Sequence, residues 1–283
     1  MQQRTVWLVM VAAAVVPAFG SSLNLGTAVS FGLIGGTISN TGTSVVTGNV
    51  GATTTITGFP PGTATGTVYA AGNPTAVAAY DAIFNPGGAL STAEGLTPAG
   101  SFTTATSQTF LGNTVYASSG DISTATGTNL TFNAQGDPTA LFIIQIDGAF
   151  TVNGAMTFTL ENQAQADNIF WIVENNATIS VGSSGAINFD GNILAGDTFT
   201  MSAASGGSGV LAGTINGCVF AQNANTLAGT TDVGGCAATN AGGSTGGGGV
   251  PEPASAGLVS LSGLIGIWAW RRFRVSHSRS WLC

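Results

Sequence analysis

The 283-residue sequence contains no lysine, and its one histidine, His277, lies near the end. The five arginines are residues 4, 271, 272, 274 and 279, so residues 5–270 carry no cation, while all twelve acids fall between Asp81 and Glu252. Charged residues make up 6% of the chain, against about 25% in ordinary soluble domains. These absences exclude whole classes of chemistry. Nucleic-acid binding needs cations to displace counterions from phosphate. A histidine-based triad, a Schiff-base lysine and an arginine clamp on phosphate are equally out of reach. Charge-driven disorder is excluded too, because 44% of residues are hydrophobic. What fills the chain is small: glycine supplies 43 positions and threonine 38. That composition points to an exported structural domain and away from an enzyme.

Both ends read as addresses. Arg4, the apolar run 6–16, Pro17 and the triplet Ala18-Phe19-Gly20 form a secretory signal peptide over residues 1–20. The run is too short to span a bilayer, which disfavours the alternative of a membrane anchor. At the other end a Gly/Ser/Thr linker, 241–249, precedes Val250-Pro251-Glu252-Pro253, an apolar segment 254–270, and Arg271-Arg272-Phe273-Arg274. Residues 275–283 form a short polar tail. Seventeen helical residues reach roughly 25 Å, slightly short of a bilayer core, and the arginines would stay on the cytoplasmic side. The expectation is an exported domain held transiently in the inner membrane by its tail. The order Pro251-Glu252-Pro253, apolar span, Arg271-Arg272 resembles the PEP-CTERM sorting signal of Gram-negative bacteria. That resemblance implies processing by an exosortase and delivery to the cell surface or extracellular matrix alongside exopolysaccharide.

Export permits disulfides, and Cys218 and Cys236 are candidates for one near the end of the 21–240 domain, with two buried thiols as the alternative. Cys283 would leave with the tail.

Within 21–240 one segment reads as helix. Asn73 caps it, Pro74 opens it, Asn85-Pro86-Gly87 ends it, and Val77, Tyr80 and Phe84, with Ala76 and Ile83 beside them, fall on one face, giving a helix over about 74–84. The rest is strand of two kinds. Some segments alternate, as at Leu130 and Phe132, at Met156, Phe158 and Leu160, at Ile179, and at Phe199 and Met201, which gives one buried and one wet face. Others are continuous apolar runs suited to burial on both sides: 141–144, 169–173, 193–195 and 218–221. Phe142, Phe170, Ile193 and Val219 follow one another at 23 to 28 residues, leaving room for two alternating strands between runs. Such periods indicate a stack of coils. The predicted fold is mainly β, a right-handed three-faced parallel β-solenoid with one α-helix along one face. A β-sandwich is the competing architecture.

A series of motifs then carries a resemblance. It runs Gly26-Thr27-Ala28-Val29-Ser30-Phe31, Asn40-Thr41-Gly42, 46–51, Thr57-Gly58-Phe59-Pro60-Pro61-Gly62-Thr63, Asn133-Ala134-Gln135-Gly136-Asp137-Pro138, 142–146, Asn168-Ile169-Phe170-Trp171 and Gly191-Asn192-Ile193-Leu194-Ala195. In that order it resembles the microbial ice-binding protein family, over residues 25–236. The resemblance implies a discontinuous right-handed β-solenoid with a helix alongside, and ice or ordered water as partner.

An ice-binding face must be flat, uncharged and regularly spaced. Coils repeat at about 4.8 Å, and threonine presents a restricted rotamer, a methyl and a hydroxyl. The face after the two-sided strand offers Thr151 with Asn153, Thr178 with Ser180, Thr198 with Thr200, and Thr226. A rival column, Thr131, Thr157, Thr159 and Asn188, is interrupted by Asp190. Threonine also suits any exposed strand, so a non-enzymatic surface or biofilm-matrix adhesin on the same solenoid is the second reading. No cofactor and no metal is implied. Asp121, Asp137, Asp147, Asp167, Asp190 and Asp197 form no Asp-x-Asp-x-Asp loop, and Asp137-Pro138 reads as a turn. A two-carboxylate glycosidase would lack any cation to grip sugar acids. The glycosylation patterns at Asn129 and Asn176 read as incidental, and Trp171 reads as core.

Overall fold

The computed structural model describes residues 23–236, apart from 104–106, 155, 182–186 and 203–210. Its strands pair in parallel and wrap into stacked coils with three walls. The signal peptide, the linker, the apolar span 254–270 and the sorting motif lie outside the described residues. Among those described, no helix is long and apolar enough to cross a membrane.

The first wall stacks Thr114–Ser118, Phe142–Ile146, Ile169–Val173 and Asn192–Ala195. Three long strands follow, Val219–Leu227, Phe31–Asn40 and Asn49–Thr57, each bending from the first wall into the second. The chain order of the coils is therefore broken. The two coils that come first in sequence dock beyond the coil that comes last, with Leu33 beside Val219 and Ile38 beside Asn225. Segment 66–113 returns the chain to the opposite end of the stack, carrying helix α1 (Pro74–Phe84) and a second short helix, α2 (Ala89–Glu94).

Two-sided burial of the first wall follows directly from alternation. Phe142, Ile144, Trp171, Val173, Ile193 and Val219 point into the solenoid, where Trp171 is fully buried and stacks on Phe150 with centroids 5.0 Å apart. Their neighbours Ile143, Phe170, Ile172, Leu194, Phe220 and Ile34 point out, beneath the helices. Pairing sets Ile172, Leu194, Phe220, Ile34 and Gly51 in one file. The file ends in glycine because α1 comes closest there; a Cβ on Gly51 would sit 2.8 Å from the Ala76 Cβ.

That close approach corrects the expected helix face. Asn73 caps α1 by accepting from Thr75 N, and Pro74 opens it. The side chains fully buried against the sheet are Ala76, Ala79 and Ile83, while Val77, Tyr80 and Phe84 flank them half-covered. Small residues take the contact because little space separates helix and strand. α2, which the sequence pattern did not suggest, buries Ala89, Leu90 and Ala93. Gln145 Nε2 caps its end, donating to Ala93 O at 2.8 Å and Leu96 O at 2.9 Å.

The third wall is split into a three-stranded sheet, containing Asn129–Asn133 and Thr157–Glu161, and a five-stranded sheet that begins at Ile187–Asp190. Leu160 lies at this break and is 38% exposed, so the expected burial of Met156, Phe158 and Leu160 holds fully only for Met156.

Candidate functional site

The second wall is continuous. From one end it stacks Ile122–Thr124, Phe150–Asn153, Ala177–Ser180, Thr198–Ser202, then 224–227, 37–40 and 55–57. Its inward residues form a packed platform. Phe150, Ala177, Phe199, Asn225 and Ile38 lie in one file, and Val152, Ile179, Met201 and Leu227 in the next. Because side chains alternate across a strand, the residues between them face outward.

Register brings Ser123, Thr151, Thr178, Thr200, Thr226, Ser39 and Thr57 into a single outward file, one residue per coil. Four of the seven sequence candidates, Thr151, Thr178, Thr200 and Thr226, are thus direct neighbours. Asn153 and Ser180 form the adjacent file, and its third member is Ser202, which the sequence reading missed. Thr198 is displaced. Phe199 stacks on Ala177, so of the candidates Thr198 and Thr200 it is Thr200 that lies beside Thr178. Thr198 instead belongs to the file on the other side, with Ala224, Thr37 and Thr55. The files stand about 6.7 Å apart, two residues along a strand, and coils repeat at about 4.8 Å.

Ser39 and Thr57 were out of sight because the coils carrying them are distant in sequence. The Thr37-Ile38-Ser39 and Thr55-Ile56-Thr57 alternations were the available signal. Recognising their place required knowing that these coils dock onto Val219–Leu227.

The hydroxyls differ in commitment. Those of Thr151, Thr178, Thr200 and Thr226 make no hydrogen bond to any described residue. At the flanks, Asn153 Nδ2 donates to Ser123 Oγ at 3.0 Å, and Thr198 Oγ1 donates to Asn176 Oδ1 at 2.7 Å. None of the file residues is charged. The acids nearest the wall occupy turns that lead into it: Asp121, Asp147, Glu174 and Asp197. Asp147 hydrogen-bonds the Glu174 carboxyl and repels its charge, which raises the Glu174 pKa. Asn223 Nδ2 holds Asp197 Oδ1 at 2.6 Å.

The rival third-wall column does not form one surface. Thr131 and Thr159 are in register, with Thr109 beyond them, but Thr157 pairs with Asn129 and Asn188 belongs to the other sheet. That wall also carries Glu161, Asp190 and Asp232. Burial raises the Asp190 pKa, against a lowering hydrogen bond from Asn216.

A cleft of about 450 Å³ with mixed polar and apolar walls lies beside the end of α2, lined by Glu94, Gln145, Asp147, Glu174, Ile146 and Ile172 among others. Among the described residues, no group of three or more His, Cys, Asp or Glu side chains is arranged to hold a metal. Asp137 closes its turn by accepting from Thr139 N at 2.9 Å and Thr139 Oγ1 at 2.7 Å. Cys218 and Cys236 form a disulfide, with Cα atoms 4.7 Å apart.

Residues 33–232 match a family model described as Ice-binding-like. The chain is 33% identical over 182 residues to an ice-binding protein of Nostoc sp. (strain HG1), covering 62% of this chain and 63% of that protein. It is 39% identical over 83 residues to ice-binding protein 1 of Shewanella frigidimarina (strain NCIMB 400), covering 29% of this chain and 9% of the relative. The chain thus spans less than two thirds of the length of either curated relative. Among solved structures, an ice-binding protein from the Antarctic ascomycete Antarctomyces psychrotrophicus superposes with a TM-score of 0.63 at 29% identity. That match covers 74% of this chain and 97% of the other.

Proposed function

The chain belongs to the ice-binding-like family, and we propose from this that it binds ice through its second wall, without catalysis. The observation that carries the reading is the file Ser123, Thr151, Thr178, Thr200, Thr226, Ser39 and Thr57 on one uncharged wall. Water that joins a crystal must be held at fixed intervals. A strand ladder supplies them at about 4.8 Å along the stack. A threonine side chain has little rotamer freedom to lose when water orders around it. Its methyl group favours structured water, while its uncommitted hydroxyl donates and accepts. The buried platform of Phe150, Phe199, Val152, Ile179 and Met201 keeps the wall from flexing.

Export and surface retention complete the proposal. The signal peptide over 1–20 and the disulfide both suit an oxidising compartment. Pro251-Glu252-Pro253, the span 254–270 and Arg271-Arg272 support sorting by an exosortase to the surface or matrix of a Gram-negative bacterium. The protein then restrains ice growth near the cell or holds the cell to ice.

The test is thermal hysteresis of the purified protein, together with its partition into a growing ice hemisphere. Hysteresis with enrichment in ice supports the reading. Binding to purified exopolysaccharide with no effect on ice would instead establish the matrix adhesin.

A further inference from the structure

The stack contains one joint that the chain itself does not bridge. Coils formed by 31–65 dock onto the coil formed by Val219–Leu227 and Thr230–Val233, and the chain joining the two parts runs back through 66–113 and then up through every intervening coil to 218. In the first and second walls the joint is seven residue pairs long, from Leu33 beside Val219 to Asn40 beside Leu227. In the third wall it narrows to one pair, Val46 beside Val233. Thr47 N donates to Val233 O there at 2.8 Å, and Val45 N to the Asp232 carboxylate at 3.2 Å.

The joint is also unusually polar for a buried seam. Asn40, Ser44, Asn225 and Thr231 are all buried at it, whereas the second wall's platform is mostly apolar elsewhere. Asn225 Nδ2 donates to Ile34 O and Thr231 N donates to Ser44 Oγ, both across the joint. Yet Asn225 Oδ1 and Thr231 Oγ1 are buried with no partner. Orphaned oxygens are costly to desolvate, so these two atoms subtract from what the ladder across the joint contributes.

The disulfide sits at this place. Cys218 directly precedes Val219, and Cys236 lies three residues after Val233. With Cα atoms 4.7 Å apart, the two cysteines are one coil spacing from each other. Together they close a full turn of the solenoid into a covalent ring, and that ring is the coil receiving the docked pair. We propose that the Cys218–Cys236 disulfide is a redox-sensitive latch on this joint. Closed, it holds the four-residue strand Thr230–Val233 between Leu211–Asn216 and Val45–Val46, completing the platform on which 31–65 rest. Opened, it frees Thr230–Val233 to fray, and the docked coils lose their third-wall contact first. A dithiol reductant opens it by supplying two electrons and two protons; its sulfurs pair, and Cys218 and Cys236 become thiols. Cys218 is fully buried and Cys236 half-buried, so attack falls on Cys236.

Hydrogen–deuterium exchange of the full chain, with and without a dithiol reductant, tests the latch, with Cys218→Ala/Cys236→Ala as the second arm. The expected result in either arm is exchange at least about tenfold faster at the amides of Ile38, Thr41, Thr47 and Thr231, with those of Ile144, Trp171 and Leu194 unchanged, an opening local to one foldon. Unchanged exchange over 31–57 in the double variant overturns the proposal. So does acceleration spread evenly over all coils, which would make the disulfide a general staple.

Discussion

Thr200 stands fourth of seven in the outward file, with Thr178 on one side and Thr226 on the other. Replacing it with tyrosine puts a rigid ring at the centre of the wall. Neighbouring coils lie only about 4.8 Å away and neighbouring files about 6.7 Å, so the ring lifts a flat lattice off several positions at once. Hot-spot contacts, which cluster at the centre of an interface, cost about 2 kcal/mol or more when lost, and each 1.4 kcal/mol is tenfold in affinity. Hysteresis at a fixed protein concentration should therefore fall about tenfold or more. The fold should hardly notice. Thr200 is half-exposed and its hydroxyl has no described partner, so stability should change by no more than about 0.5 kcal/mol, a shift of about 1–2 °C in melting temperature. Thr109→Tyr, on the exposed third wall, is the matched control and should leave hysteresis intact. Nanolitre osmometry and differential scanning calorimetry read the two quantities. Undiminished hysteresis in Thr200→Tyr, or an equal fall in Thr109→Tyr, refutes the assignment of the second wall.

Trp171→Ala removes the largest buried side chain, which packs on Phe150 and Phe189 and donates from Nε1 to Asp190 O; a loss of about 3–5 kcal/mol is expected in denaturant unfolding. Asn192 is buried, donates to Asp167 O at 2.8 Å and accepts from Cys218 N at 3.1 Å. Asn192→Ala strands both groups and should cost at least about 2 kcal/mol by the same assay. Burial raises the pKa of Glu94, Asp167 and Asp190, and the Asp147 contact raises that of Glu174. For these acids the folded state holds its protons to higher pH than the unfolded state does. Their contribution is thus fully present below the unfolded pKa, about 4 for carboxylates, and is lost as pH rises from there through the folded pKa. Asp137, lowered by its Thr139 hydrogen bonds, runs the other way, but it is exposed and single. With no cation among the described residues to pair the carboxylates, melting temperature should rise as pH falls from neutral toward the unfolded carboxylate range at about 4, and added salt at neutral pH should raise it too. A melting temperature that falls steadily from neutral pH to about 4 contradicts this account.

Residue order alone was enough to read the local elements and the character of the surface. Asn73-Pro74 and Asn85-Pro86-Gly87 bracket α1 because capping and ring geometry are local effects. The runs 142–144 and 169–173 announce burial on both sides, and Thr-x-Thr alternation announces a hydroxyl-rich wet face. Which of those hydroxyls stand together was decided by tertiary structure. Phe199 packing on Ala177 moved Thr198 out of the file and Thr200 into it. The docking of 31–57 onto Val219–Leu227 added Ser39 and Thr57 across more than 160 positions. The small-residue face of α1 was set in the same way, by the gap Gly51 leaves. Propensity and alternation act over a few residues, whereas register is fixed by which side chains fill the interior together, and that requires every coil to be present.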